Sequence, residues 1–350
     1  MKNRVFLLMF CILACVYLSA QTSVVPLSTG AASPESVVYL LPKLDVVVEI
    51  EMEHTVRKAG PFYKYAERYL GVRDMIVGDD SEWRLAAVRL HSRIVPDTTK
   101  AFAVAVNKKT TAYNIQTDDK GVIRSVNQLI ESPVTPSRPA TKQPLCDTLP
   151  PFSMACLGEE ALVANSVPKM AEMAAKQIYR IRESRANLLS GENEILPDGT
   201  ALQLMLNRLD KEENELLALF VGRTSVCHSV SQIVVSPVAE QTDSVLFRIS
   251  RHEGLLAADD LSGEPVYFSL SPDPQGNLPA ELDGRKPFGL FYNVPRMALV
   301  TISDGVDILA EKSFAMPQLG ALRSLPAALF DGCATKVCFT RLGGIKSISK

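Results

Sequence analysis

Four histidines, His54, His91, His228 and His252, and the cysteines Cys146, Cys156, Cys227, Cys333 and Cys338 are the residues of this 350-residue chain best equipped for metal or nucleophilic chemistry. A zinc site needs three or four such ligands brought into a tetrahedron, usually with pairs a few positions apart. No two histidines stand at i, i+2 or i, i+4. Cys227-His228 and the Cys333/Cys338 pair each offer half a site, and no second half follows. His54 falls on the apolar side of an alternating run, where a hydrogen-bonded core histidine is expected. The acidic loops at Asp259-Asp260, Asp273 to Asn277 and Asp304 to Asp307 lack the spaced oxygen ligands of a calcium-binding loop and read as solvated turns. No Gly-x-Ser-x-Gly elbow marks a nucleophilic serine. Gly343-Gly344 opens no helix that could cradle a phosphate. The sequence therefore nominates no catalytic residue, no metal and no cofactor. A carboxylate pair for glycoside hydrolysis could still be dispersed among the 39 acidic residues.

One stretch invites a binding reading. AGPFYKYAERYLGV, residues 59–72, carries Phe62, Tyr63, Tyr65 and Tyr69 within eight positions. Gly60-Pro61 suits a helix start and Gly71 its end, giving a helix of about ten residues. Phe62 and Tyr69 then face inward. Tyr63 and Tyr65 lie at the rim and are the two candidate ligand contacts. A sugar platform wants coplanar rings, whereas rings on a helix diverge, so a cap on a core is the favoured role.

The N-terminus bounds the compartment. MKNRVFLLMFCILACVYLSAQ has early basic residues, an apolar run from Val5 to Leu18, and small Ser19-Ala20, the layout of a secretory signal peptide over residues 1–20. The run is shorter than the roughly 20 residues of a membrane-spanning helix. A second reading makes Ile12-Leu13-Ala14-Cys15 a lipidation box with Cys15 anchored. Loss of Lys2 and Arg4 with the leader takes the formal charge from −2 to −4, with no basic block. Nucleic-acid binding leaves a clustered positive footprint, so that partner is not expected. No second long apolar run suggests a transmembrane span. Export permits disulfides, and Cys146–Cys156 and Cys333–Cys338 could each close a short loop, alongside the equally open alternative of buried free thiols.

These residues must be positioned by two kinds of element. Residues 21–36 are small and polar, a flexible lead-in. LDVVVEIEMEHTV alternates strictly, with Val46, Val48, Ile50, Met52 and His54 on one side and Glu49, Glu51 and Glu53 on the other, a half-buried strand. WRLAAVRLHSRIV alternates with a slip that suggests a bulge. Residues 37–131 thus read as a β-rich domain with one short helix. SPVTPSRPATKQPLCDTLPP, residues 132–151, is proline-rich and reads as an extended linker. Residues 157–222 hold the only strong helical periodicity, two helices that should form an antiparallel hairpin. From 223 to 350 short strands return, with hairpin turns at Ser303-Asp304-Gly305 and Gly343-Gly344. The expected class is α+β, mostly β: two β-rich, sandwich-like domains with a helical hairpin between them.

The stretches IYRIRESRANLLSGE, LPDGTALQLMLNRLDKEENELLALFVG, GPFYKYAERYLG and DDLSGEPVYFSL carry a likeness. Together they make the chain resemble, over nearly its whole length, an uncharacterised family of exported proteins from Gram-negative gut bacteria. That resemblance implies residence in the cell envelope and no assigned catalytic residue. The expectation is a non-catalytic envelope protein acting through contact with another envelope protein. A glycan- or peptide-binding module of the periplasm or cell surface is the alternative, and a hydrolase with dispersed residues the third.

Overall fold

A computed structural model describes residues 24–27, 36–105, 114–129, 149–164, 166–190, 199–273, 289–330 and 335–350. The leader, Cys15 and most of the proline-rich linker lie outside the described residues.

The short β1 (Val24–Pro26) and the long β2 (Ser36–Lys58) and β3 (Asp80–Ala105) begin the first sheet. The alternation of β2 is realised side chain by side chain. Val46, Val48, Ile50 and Met52 are buried, and Glu49 and Glu51 look the other way. β3 runs antiparallel to it, with Glu51 opposite Ala87 and Met52 opposite Leu85. Ala86 is the extra residue of the bulge that the slipping pattern predicted. The lead-in is corrected in part: Val24, Val25 and Pro26 pair with Val104, Ala103 and Phe102. Two β-branched residues beside an open strand edge are enough to extend the sheet there.

β4 (Ile115–Thr117) and β5 (Ile123–Val126) form a hairpin in which Gly121 takes φ +78°. β6 (Arg223–Val235) then returns to the first sheet, against β2, giving the order β1-β3-β2-β6. β7 (Gln241–Ser250), β8 (Gly254–Leu256), β9 (Glu264–Pro272), β10 (Gly289–Ser303) and β11 (Ile308–Pro326) make a second antiparallel sheet ordered β11-β10-β9-β7-β8. β12 (Lys336–Phe339) and β13 (Ile345–Ser349) join β5 and β4 in a third, ordered β13-β12-β5-β4.

The molecule is α+β and mostly β, as its patterning indicates. The two β-rich segments, however, share their sheets instead of each closing its own. β6 follows the helices in sequence yet pairs with β2 over thirteen residues, and β12 pairs with β5. The cores are shared in the same way. One cluster joins Val46, Val48, Ile50 and Met52 to Phe247, Phe268, Val300 and Met316 of the second sheet. Another joins Tyr39, Leu41, Phe102 and Ile123 to Leu290, Phe291 and Phe339. Burying each such large side chain is worth roughly 1.5–3 kcal/mol, so neither segment can be removed without opening both clusters.

Side chains finish the ladders where strands run out. β9 pairs with β10 only from Ala298 to Ser303. Further up β10, Phe291 N–H donates to Tyr39 Oη at 2.9 Å, and Tyr39 Oη donates to the Phe291 carbonyl at 3.3 Å. On β2, Leu44 N–H donates to Gln318 Oε1 at 3.1 Å, and Gln318 Nε2 donates to Leu44 O at 2.7 Å.

The third cluster is helical. A 3-10 turn at Tyr63–Tyr65 leads into α1 (Ala66–Leu70), closed by Gly71 at φ +67°. The expected single helix is therefore split. α2 (Glu159–Val163) precedes α3 (Val167–Ser190) and α4 (Gly199–Val221). Arg182 bonds Glu213 at 2.6 Å and Arg185 bonds Asp210 at 2.5 Å, so residue numbers rise on one helix as they fall on the other, the expected antiparallel hairpin. It joins the sheets through the β2–β3 connection. Phe62 N–H donates to Leu219 O at 2.8 Å and Ile76 N–H to Val221 O at 3.0 Å. Gly60 fits there because a Cβ would lie 2.3 Å from Leu219 O.

Candidate functional site

Among the described residues, the feature most open to a partner is the unpaired edge of β6. Its sequence, RTSVCHSVSQIVV, alternates around β-branched residues, and every residue from Arg223 to Val235 pairs with β2 without a register shift. Ile233 and Val235 point into the first core. Thr224, Val226, His228, Val230, Gln232 and Val234 therefore share the opposite, solvent face. Val226 is 53% exposed and Val234 43%. Among the described residues β6 has a strand neighbour on its β2 side alone. Natural edges are usually blunted by lysine, proline, a bulge or shortness. β6 has none of these: it is long, unbulged and uncharged after Arg223.

The neighbouring solvent face of β2 is strongly polar but internally matched. Arg89 reaches Glu51 at 2.7 Å and Glu49 at 3.5 Å. Gln232 donates to Glu49 at 3.2 Å, and His228 lies 3.6 Å from Glu51. The Glu51 carboxylate, by hydrogen bond and then by charge, raises the Arg89 pKa further. Arg93 pairs with buried Asp45 at 2.9 Å, and Ser236 donates to the same carboxylate. These are cross-strand pairs that fix register.

The aromatic stretch is scaffold over much of its length. Phe62 is buried against Phe220, ring centroids 5.5 Å apart. Tyr65 stacks on Tyr69 at 6.1 Å and 26°, and both pack on the helical cluster. Tyr63 lies under the Lys64 ammonium at 5.7 Å. Both candidate contacts, Tyr63 and Tyr65, remain half-buried.

The cysteines differ from the sequence expectation. Cys156 and Cys338 are free thiols, so neither Cys146–Cys156 nor Cys333–Cys338 forms. Each sulfur has a local partner instead: Cys156 Sγ donates to Ser153 O at 3.1 Å, and Cys338 Sγ to Gln128 Oε1 at 3.1 Å. Burial pushes the Cys156 thiol up. Cys227 is disulfide-bonded. Its sulfur lies 3.9 Å from His54 Nδ1, while His54 Nε2 meets Ser81 Oγ at 2.8 Å and the imidazole stacks on Trp83 at 4.0 Å. Among the described residues no group of three or more His, Cys, Asp or Glu is placed to hold a metal ion.

Two shallow grooves of about 600 Å³ lie on the helical hairpin. One, along α4, is lined by Asn207, Asp210, Lys211, Asn214, Glu215 and Arg223. The other lies between Leu188 and Leu204, Met205 and Leu209. No helix among the described residues is long and apolar enough to cross a membrane.

A family model described as a domain of unknown function, DUF4831, matches residues 35–346. The chain belongs to that family. The matched span runs from the start of β2 into β13, so the DUF4831 unit takes in the hairpin and all three sheets except β1. No curated protein and no solved structure matches the chain.

Proposed function

We propose that this DUF4831 protein is an exported component of the cell envelope that works without catalysis, by joining an assembly through strand-to-strand contact. The observation carrying this reading is the β6 edge, thirteen residues long, without lysine, proline or a bulge, and with no second strand neighbour among the described residues. Strand addition supplies affinity through main-chain hydrogen bonds and specificity through alternate side chains, here Val226, Val230 and Val234. Export is supported by the leader-like first twenty residues, which would leave Gln21 as the new N-terminus. The charged face beside β6 favours the same role, because its carboxylates are already engaged by Arg89, Gln232 and His228.

The test is cross-linking in the native cells from a photoreactive residue at position 226, followed by mass spectrometry. An envelope protein, or the protein's own second copy, captured from position 226 and lost from a control at exposed Val77 supports the reading. Equal capture from both positions, or none from either, overturns it. Recovery of the mature chain from the cytoplasmic fraction would sink the export half.

A further inference from the structure

The geometry points to a second copy of this chain as the strand that β6 receives, an inference that rests on the edge reading above. The solvent face of β6 reads Val226, His228, Val230, Gln232, Val234, which is nearly palindromic about Val230. Homodimers close by two-fold axes, and a two-fold contact must be complementary to itself. Place that axis at Val230, with the two β6 strands antiparallel. Val226 then meets the second copy's Val234, Val230 meets its own equivalent, and His228 meets Gln232. Thr224 meets Ser236, just beyond the strand end. On the core side Ser229 meets Ser231 and Cys227 meets Ile233.

Apolar residues thus fall opposite apolar ones and polar opposite polar. No like-charged pair is created at any position. That neutrality matters because a like-charge pair directly across two strands opposes their joining. The half-exposed Val226 and Val234, otherwise left to water, would cover each other at both ends of the contact. The two first sheets, four strands each, would then become one continuous eight-stranded sheet. The absence of a bulge in β6 is what allows the second strand to lie flat against it over its length.

The test uses the full chain, oxidised, and two double variants, Val226→Lys with Val234→Lys and Val226→Glu with Val234→Glu. Sedimentation should show the wild type as a concentration-dependent dimer. Each variant alone places like charges opposite each other twice, and its self-association should fall roughly tenfold or more. Mixing the two should restore a heterodimer, because each lysine then meets a glutamate. A second readout does not depend on surface charge. Val230→Cys should form an intermolecular disulfide with its own copy, because directly opposed residues sit about 4.5–5.5 Å apart at Cα. Val226→Cys should not.

A wild type that stays monomeric at all concentrations overturns the inference. So does a dimer that ignores both double variants. If the monomer still cross-links from position 226 to a different envelope protein, the second copy is excluded and the edge reading stands. If position 226 captures nothing, both fall together.

Discussion

Tyr39 and Phe291 stand 252 positions apart in sequence, yet the hydroxyl of one satisfies both backbone groups of the other. Tyr39 is fully buried, and burial pushes its hydroxyl far above the ordinary tyrosine value despite the hydrogen bond it accepts from Phe291 N–H. Tyr39→Phe removes only the hydroxyl and leaves Phe291 N–H without its acceptor. Loss of about 1–3 kcal/mol in urea unfolding is expected at neutral pH. The sign of the pH effect follows from the raised value. Above pH about 10 the unfolded chain releases this proton while the folded chain keeps it, so stability falls as pH rises. The wild-type stability curve should therefore drop more steeply than that of Tyr39→Phe in this alkaline range. Parallel curves would show that the hydroxyl is not held as described.

Gln318 plays the corresponding part for β2, with its amide bonded to both Leu44 N–H and Leu44 O and reaching Pro237 O at 3.3 Å. Gln318→Leu should cost about 1–3 kcal/mol for the orphaned backbone groups. Gln318→Glu keeps an acceptor for Leu44 N–H but turns a carboxylate toward two carbonyl oxygens. Its folded-state pKa should be raised, so its deficit should shrink as pH falls toward about 4, where the carboxyl takes up a proton. Thermal melts of the two variants at pH about 4 and 7 separate the cases, since Gln318→Leu should show no such recovery.

Gly60 lets the β2–β3 connection touch the end of α4, where its missing side chain avoids Leu219 O and Ala218 O. Gly60→Ala forces backbone apart on one side or the other. A loss of about 1–3 kcal/mol is expected, the range for overpacking a close contact. Hydrogen exchange should localise it, with faster exchange at Phe62 and Ile76, whose N–H groups bond to Leu219 O and Val221 O. Uniform acceleration across the sheets would contradict that localisation.

Alkylation of the unfolded, non-reduced protein should label Cys156 and Cys338 and spare Cys227. Peptide mapping should then find the Cys227 peptide cross-linked. Labelling of Cys227 without reductant would exclude its disulfide.

The sequence displays the elements more clearly than their partners. Alternation in β2 and helical spacing in α3 and α4 report which side of each element is buried, because the pattern repeats many times. β1 has three residues and no period to detect. The assignment of β6 was hidden for a different reason. Alternation says that Ile233 and Val235 face a core, and it is silent about whose edge the strand joins. The pairing with β2 spans an entire helical module, so only the folded chain reveals that the β-rich segments interleave. Short spacing in sequence suggests disulfides for Cys156 and Cys338, yet both are free thiols, because spacing alone does not fix which cysteines pair. Phe62 was legible as a packing residue. The Val226, Val230, Val234 spacing was visible in the letters, and it acquires meaning only once β6 is known to lie at an edge.

The placement of β6 also has a consequence for how the chain comes into being. Translation delivers residues in order, so β2 and β3 emerge together while the other side of β2 waits for a strand encoded after both long helices. During that interval the nascent β2 edge offers open N–H and C=O groups beside the apolar Val46, Val48 and Ile50. Late closure of this kind ties folding speed to contacts distant in sequence. It also makes the half-synthesised chain the species most in need of a chaperone, and places the moment of safety near the emergence of Val235.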